Sequence, residues 1–146
     1  MNRRQSYAAT SPEKMLCEFL FAWKSRQWGL MAYLADFSRF KDMDALMAAE
    51  ILYRRFSLDG GVIQRVDYRP GSRIAKARLK LFLQQENGGA KEIKISFMLF
   101  RKYEGGRWYV EPLNGVLYLY REFKHKVEDL PEDVKGVISK RLNVIL

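Results

Sequence analysis

Apolar and polar side chains alternate along Arg73–Leu83 and again along Lys91–Tyr103. A period of two sends successive side chains to opposite faces of a pleated strand, so both segments read as long strands with an apolar face. Ala75, Ala77, Leu79, Leu81 and Leu83 share that face in the first. Ile93, Ile95, Phe97 and Leu99 share it in the second, and Arg101 and Tyr103 continue the same parity. Between them, Glu86–Ala90 contains Gly88-Gly89 and reads as a turn. A hairpin centred near Asn87 sets Leu81 against Ile93, Leu79 against Ile95, Ala77 against Phe97 and Ala75 against Leu99. A slip of one residue would bring Lys and Arg to this face, so the register is well specified. The small Ala75 and Ala77 leave space for a helix or a ligand over their end of the pair.

Shorter strand signals flank the hairpin. Val62–Arg69 reads as a strand closed by Pro70-Gly71. Glu104-Gly105-Gly106 turns the chain into a strand at Trp108 and Val110, which Pro112 limits. Val116–Tyr120 reads as a last strand running towards Phe123, with a helix as the alternative.

The first half of the chain is helical in pattern. Thr10 or Ser11 can cap a helix whose first turn holds Pro12, with Glu13 three residues after Thr10. Leu16, Phe19, Leu20 and Trp23 form its stripe, and Met15, Cys17 and Phe21 widen the apolar surface, which predicts a largely enclosed helix. Ser25–Gln27 breaks it. Trp28–Phe37 reads as a second helix and Met43–Arg55 as a third, capped by Asp42, with Gly60-Gly61 ending the helical half. Near the C-terminus, Asp129, Pro131 and Glu132 start a helix with Val134, Ile138, Leu142 and Ile145 in its stripe. The expected organisation is a basic tail over residues 1–10, one domain over 11–125, and a C-terminal helix within 126–146 that packs on the domain or on a partner.

The composition bounds function loosely. With 146 residues, 48% hydrophobic and 14% aromatic, the chain can build one sizeable core. No run approaches the roughly 20 apolar residues of a membrane helix. Arg3-Arg4 is not followed by an apolar stretch, so no signal peptide is expected. Cys17 is the single cysteine, which excludes an intrachain disulfide and suits a cytoplasmic location. The net charge of +9, from 26 Lys and Arg against 17 Asp and Glu, favours acidic partners or nucleic acid, or else simply a soluble basic surface.

The stretch Ala22-Trp23-Lys24-Ser25-Arg26-Gln27-Trp28-Gly29-Leu30-Met31-Ala32-Tyr33-Leu34, and the later Gly105-Gly106-Arg107-Trp108-Tyr109-Val110, carry a resemblance. Helices followed by a strand meander with these two textures resemble the NTF2-like (cystatin-like) superfamily over roughly residues 11–125. The resemblance implies an α+β fold: three N-terminal helices packed in the concave face of a strongly bent antiparallel sheet, the NTF2-like cone, with a C-terminal helix here in addition. The superfamily includes isomerases, dehydratases, transport adaptors and accessory domains, so it implies no single activity. Its enzymes place a His or carboxylate base within the cone. Here Glu92 and Glu111 fall on the opposite face, and the sole histidine, His125, lies between Lys124 and Lys126. No catalytic residue is carried over.

Candidate sites follow from the residues themselves. Asp36, Glu50 and Asp67 are the acids available as a general base, yet Asp36 can equally cap a helix end and Glu50 can pair with Arg54 at i+4. One His and one Cys do not supply a zinc ligand set, and no cofactor is expected. A cone mouth with an apolar wall and a few polar handles would be lined by Trp23, Tyr33, Tyr53, Phe97, Arg101, Tyr103 and Trp108. Arg101 sits at an inward parity, where it can anchor an anion or extend to solvent as the strand leaves the core. The outer face divides in two. Ile74, Met98, Phe100 and Tyr109 make an apolar end that predicts a homodimer interface, unless the C-terminal helix covers it. Lys76, Arg78, Lys80 and Lys94 make a basic end that suits an acidic protein; nucleic acid is disfavoured because Phe82 alone interleaves with the basic residues. The expected function is a non-catalytic binding or assembly module, with a small-molecule pocket of isomerase-like or lyase-like activity as the alternative.

Overall fold

The computed structural model describes residues 11–35, 50–51, 53–85, 87–123 and 130–142. Helix α1 spans Pro12–Lys24 and α2 spans Trp28–Leu34. Strands β1 (Leu58–Asp67), β2 (Ile74–Gln84), β3 (Ala90–Phe100) and β4 (Tyr109–Glu111) follow, then α3 (Leu113–Glu122) and α4 (Glu132–Leu142). The fold is α+β: a four-stranded antiparallel sheet in the order β1-β2-β3-β4, with helices packed on one face. Glu50, Ile51, Tyr53 and Arg54 are also helical, while the rest of the expected third helix, Asp36, the tail over 1–10 and the Asp129 cap lie outside the described residues.

The central hairpin has the register read from the alternation. Leu81 pairs with Ile93, Leu79 with Ile95, Ala77 with Phe97 and Ala75 with Leu99. All eight side chains are buried, so each step along the pair removes apolar surface from water on the same face. α1 closes that face. Ser11 caps it by accepting from the Lys14 amide at 3.3 Å. Leu16, Phe19, Leu20 and Trp23 are buried, whereas Cys17 and Phe21, expected to widen the apolar surface of a largely enclosed helix, are exposed. Arg26, at φ 57°, turns the chain through the left-handed region between α1 and α2. Ala35 then leaves helical geometry to bridge Val110, which ends α2 before the expected Phe37.

Two expected boundaries move. β1 begins at Leu58, so Gly60-Gly61 lies inside a strand and does not merely end the helical half. A Cβ at Gly61 would stand 2.9 Å from the Leu81 side chain and 3.3 Å from Leu20, a crowding only glycine avoids. The larger correction concerns Val116–Tyr120, which belongs to helix α3 and not to a last strand. Among the side-chain positions described there, Gly115, Leu119 and Phe123 are buried, at helical spacing. β-Branched and aromatic side chains favour strands only weakly, and packing on β3 overrides that preference. Leu130 and Val134 join the same core, so the start of the C-terminal segment packs on the domain.

No helix among the described residues is long and apolar enough to cross a membrane.

Candidate functional site

The residues expected to line a cone mouth do not converge on one. Trp23, Tyr53 and Phe97 are buried side by side in the core, and Phe19 bridges them edge-on at 6.0 Å to Tyr53 and 5.7 Å to Phe97. The Trp23 indole N–H donates to the carbonyls of Tyr53 and Phe56, at 3.2 and 3.1 Å. The Tyr53 hydroxyl donates to the Pro112 carbonyl. Burial, with a smaller contribution from the Glu111 charge, holds the Tyr53 phenol well above its ordinary pKa. Ala77 is itself fully buried, and Phe97, its partner across the hairpin, meets Phe19 of α1.

Arg101 and Trp108 serve a different place. The Arg101 guanidinium lies 4.5 Å from the Trp108 ring centre, and its Nε donates to the Ser72 carbonyl at 2.8 Å. β3 has ended by then, and the half-buried Arg101 neither faces a pocket nor extends freely to solvent: it ties the β1–β2 turn to Trp108. Tyr103 is 65% exposed beyond it. Tyr33 is half-buried beneath Arg107, whose guanidinium stacks at 4.0 Å on Tyr33 and 4.5 Å on Tyr109 and donates to the Tyr33 carbonyl at 2.6 Å.

Among the described residues, the acids proposed as a base, Glu50 and Asp67, do not converge; Asp36 lies outside them. Glu50 pairs with Arg54 at 3.1 Å, and Asp67 pairs with Arg65 at 2.6 Å on the solvent side of the sheet. No group of three His, Cys, Asp or Glu side chains that could hold a metal occurs among the described residues.

The outer face of the sheet is where charge gathers. Lys76, Arg78 and Lys94 are exposed and Lys80 is half-buried, paired with Glu92 at 3.4 Å. The register adds what the sequence reading lacked. Arg65 on β1 stands directly opposite Arg78, and Lys80 stands directly opposite Lys94. Like charges facing each other across strands are destabilising, an effect that the Arg65–Asp67 and Lys80–Glu92 ion pairs offset in part.

Arg65 escaped sequence reading because β1 has an irregularity between Ile63 and Arg65. The extra residue turns Ile63 and Val66 both inward, against Leu79 and Ala77, and puts Val62, Arg65 and Asp67 outward. Strict alternation would have grouped Ile63 with Arg65 and Asp67, and that clash of apolar with charged residues was the available signal.

The apolar end of the outer face differs from expectation. Ile74 is 53% exposed, but Phe100 is only 5% exposed, stacked on Tyr109 at 5.9 Å. Met98 and Tyr109 are half-buried. Phe100 is thus part of a local cross-strand ring pair and offers no surface to another chain. Beside Ile74 lies an open groove of about 480 Å³ lined by Asp67, Tyr68, Arg69, Ser72 and Ile74. Tyr68, 43% exposed, forms its aromatic wall and meets Trp108 edge-on at 5.5 Å. Since Asp67 stands opposite Lys76 in the strand register, the groove adjoins the basic rows.

No family model matches the sequence, and no curated protein matches it. The chain is similar in structure to a SEC-C motif containing protein from Psychrobacter arcticus, at 14% identity and a TM-score of 0.48, over 70% of this chain and 59% of that one. It therefore spans less than two thirds of that protein's length.

Proposed function

We propose that the protein is a non-catalytic binding module whose working surface is the outer face of the sheet and whose partner is an anionic macromolecule. The observation that carries this reading is the pair of like-charge contacts, Arg65 against Arg78 and Lys80 against Lys94. A face that keeps such pairs is less stable alone and becomes more stable when anions lie across it. The inner face supports the reading indirectly, because Trp23, Tyr53 and Phe97 are packed ring against ring and leave little for chemistry. The same charges speak against a homodimer formed through this face, since a second copy would bring equally basic rows into contact. Helices followed by a strand meander with a late tryptophan also support kinship with the NTF2-like cone, although α3 stands where the sequence reading expected a strand.

Immobilised heparin tests the proposal. The protein should be retained at low ionic strength and released as salt rises, and the double variant Arg78→Glu, Lys94→Glu should elute far earlier. Circular dichroism establishes that the variant is folded. Equal elution of the two proteins would overturn the reading.

A further inference from the structure

We infer that the anionic partner is an extended acidic polypeptide segment carrying an apolar residue at one end, lying along β2 with that residue seated in the groove between Tyr68 and Ile74. This rests on the outer face being the binding surface. Lys76, Arg78 and Lys80 occupy alternate positions of β2, so their stems repeat at about 6.8 Å, two residues of strand rise. An extended polypeptide repeats its own alternate side chains at the same interval, so carboxylates at every second residue meet this row in step. At the Ile74 end the row runs into the groove, whose wall is one exposed aliphatic and one exposed aromatic side chain. An apolar side chain entering it would cover Ile74 and one side of Tyr68.

The carboxylates of the same face decide between kinds of anion. Glu92 stands beside Lys80, and Asp67 lines the groove. A polypeptide can set a neutral or basic residue against each of them, whereas a nucleic acid carries a charge at every unit. Stacking surfaces are also few beside the basic rows: Phe82 is half-buried, Phe100 is buried, and Tyr68 is a single open ring at the groove. Sequence-tolerant binding of single strands draws on a succession of open aromatic faces, which one ring does not present.

Fluorescence anisotropy with defined probes tests this. One peptide alternates glutamate and serine and ends in leucine, made with the leucine at either end. A second ends in serine instead, and a third probe is oligothymidylate of equal charge. The leucine peptide, in one of its two orientations, should bind about tenfold more tightly than the serine peptide, the effect of burying roughly half or more of one aliphatic side chain. Ile74→Ser, a change at an exposed position, should erase that difference while leaving the serine peptide unaffected. Equal binding of all peptides, lost together in Arg78→Glu, Lys94→Glu, would overturn the inference and leave the anion-binding face intact. Tighter binding of oligothymidylate than of either peptide would also overturn it. Binding of no probe, with no retention on heparin, would bring down both readings.

Discussion

Tyr53 joins three parts of the molecule through one side chain. Its ring meets Phe19 and Trp23 edge-on, its hydroxyl donates to the Pro112 carbonyl, and its own carbonyl accepts from the Trp23 indole. Replacing it by phenylalanine keeps the ring but leaves the Pro112 carbonyl without this donor, a loss of about 1–3 kcal/mol at neutral pH. The phenol also sets a pH dependence. Its folded pKa lies well above 10.0, so above that value the unfolded chain releases a proton that the folded chain retains. Stability contributed by Tyr53 is therefore complete below 10.0 and declines as pH rises towards the folded value. The gap between wild type and Tyr53→Phe, read from urea midpoints, should be constant at neutral pH and narrow above 10.0. A gap unchanged in alkaline solution would mean that the hydroxyl is not enclosed.

At the scale of elements, α3 depends on the closeness of its approach to the sheet. A Cβ at Gly115 would stand 2.5 Å from the Tyr53 hydroxyl and 2.7 Å from the Phe97 ring. Alanine is the better helix former by about 1 kcal/mol, yet overpacking a filled core costs about 1–3 kcal/mol, so crowding should win and Gly115→Ala should destabilise. Gly136 in α4 has open space around its Cβ position, and Gly136→Ala should instead stabilise by about 0.5–1 kcal/mol. Opposite shifts of the urea midpoint check the pair. The glycine also explains why α3 was hard to read. In the stripe Gly115, Leu119, Phe123 the first member has no side chain, while Val116–Tyr120 presents the residue types of a strand. The β2–β3 register was legible because every member of its inner row is apolar and a slip would bury charge. β1 fell between these cases: its alternation is real but interrupted, so Arg65 was assigned to no face and half of the Arg65–Arg78 pair went unseen.

For the whole molecule, the net charge of +9 and the repulsion concentrated on one sheet face act together. Salt has two opposing effects. It weakens ion pairs such as Arg65–Asp67 and Lys80–Glu92, but exposed pairs of this kind contribute only about 0.2–1 kcal/mol each. It also screens the excess positive charge, as the Debye length falls from about 30 Å at 0.01 M to about 8 Å at 0.15 M. Attraction within the opposite-charge pairs is local and weak, whereas like-charge repulsion extends over the molecule, so screening should dominate. The thermal midpoint should rise over that salt range, by about 2–4 °C for each kcal/mol relieved. Arg78→Glu, Lys94→Glu removes one partner from each like-charge pair. That variant should be more stable than wild type at low salt, respond less to added salt, and bind heparin less well. Stability and binding thus move in opposite directions on the same two substitutions, as expected when a surface is kept for a partner at the expense of the isolated fold. Calorimetry across the salt range decides it: a variant less stable than wild type at low salt would show that these positions serve the fold itself.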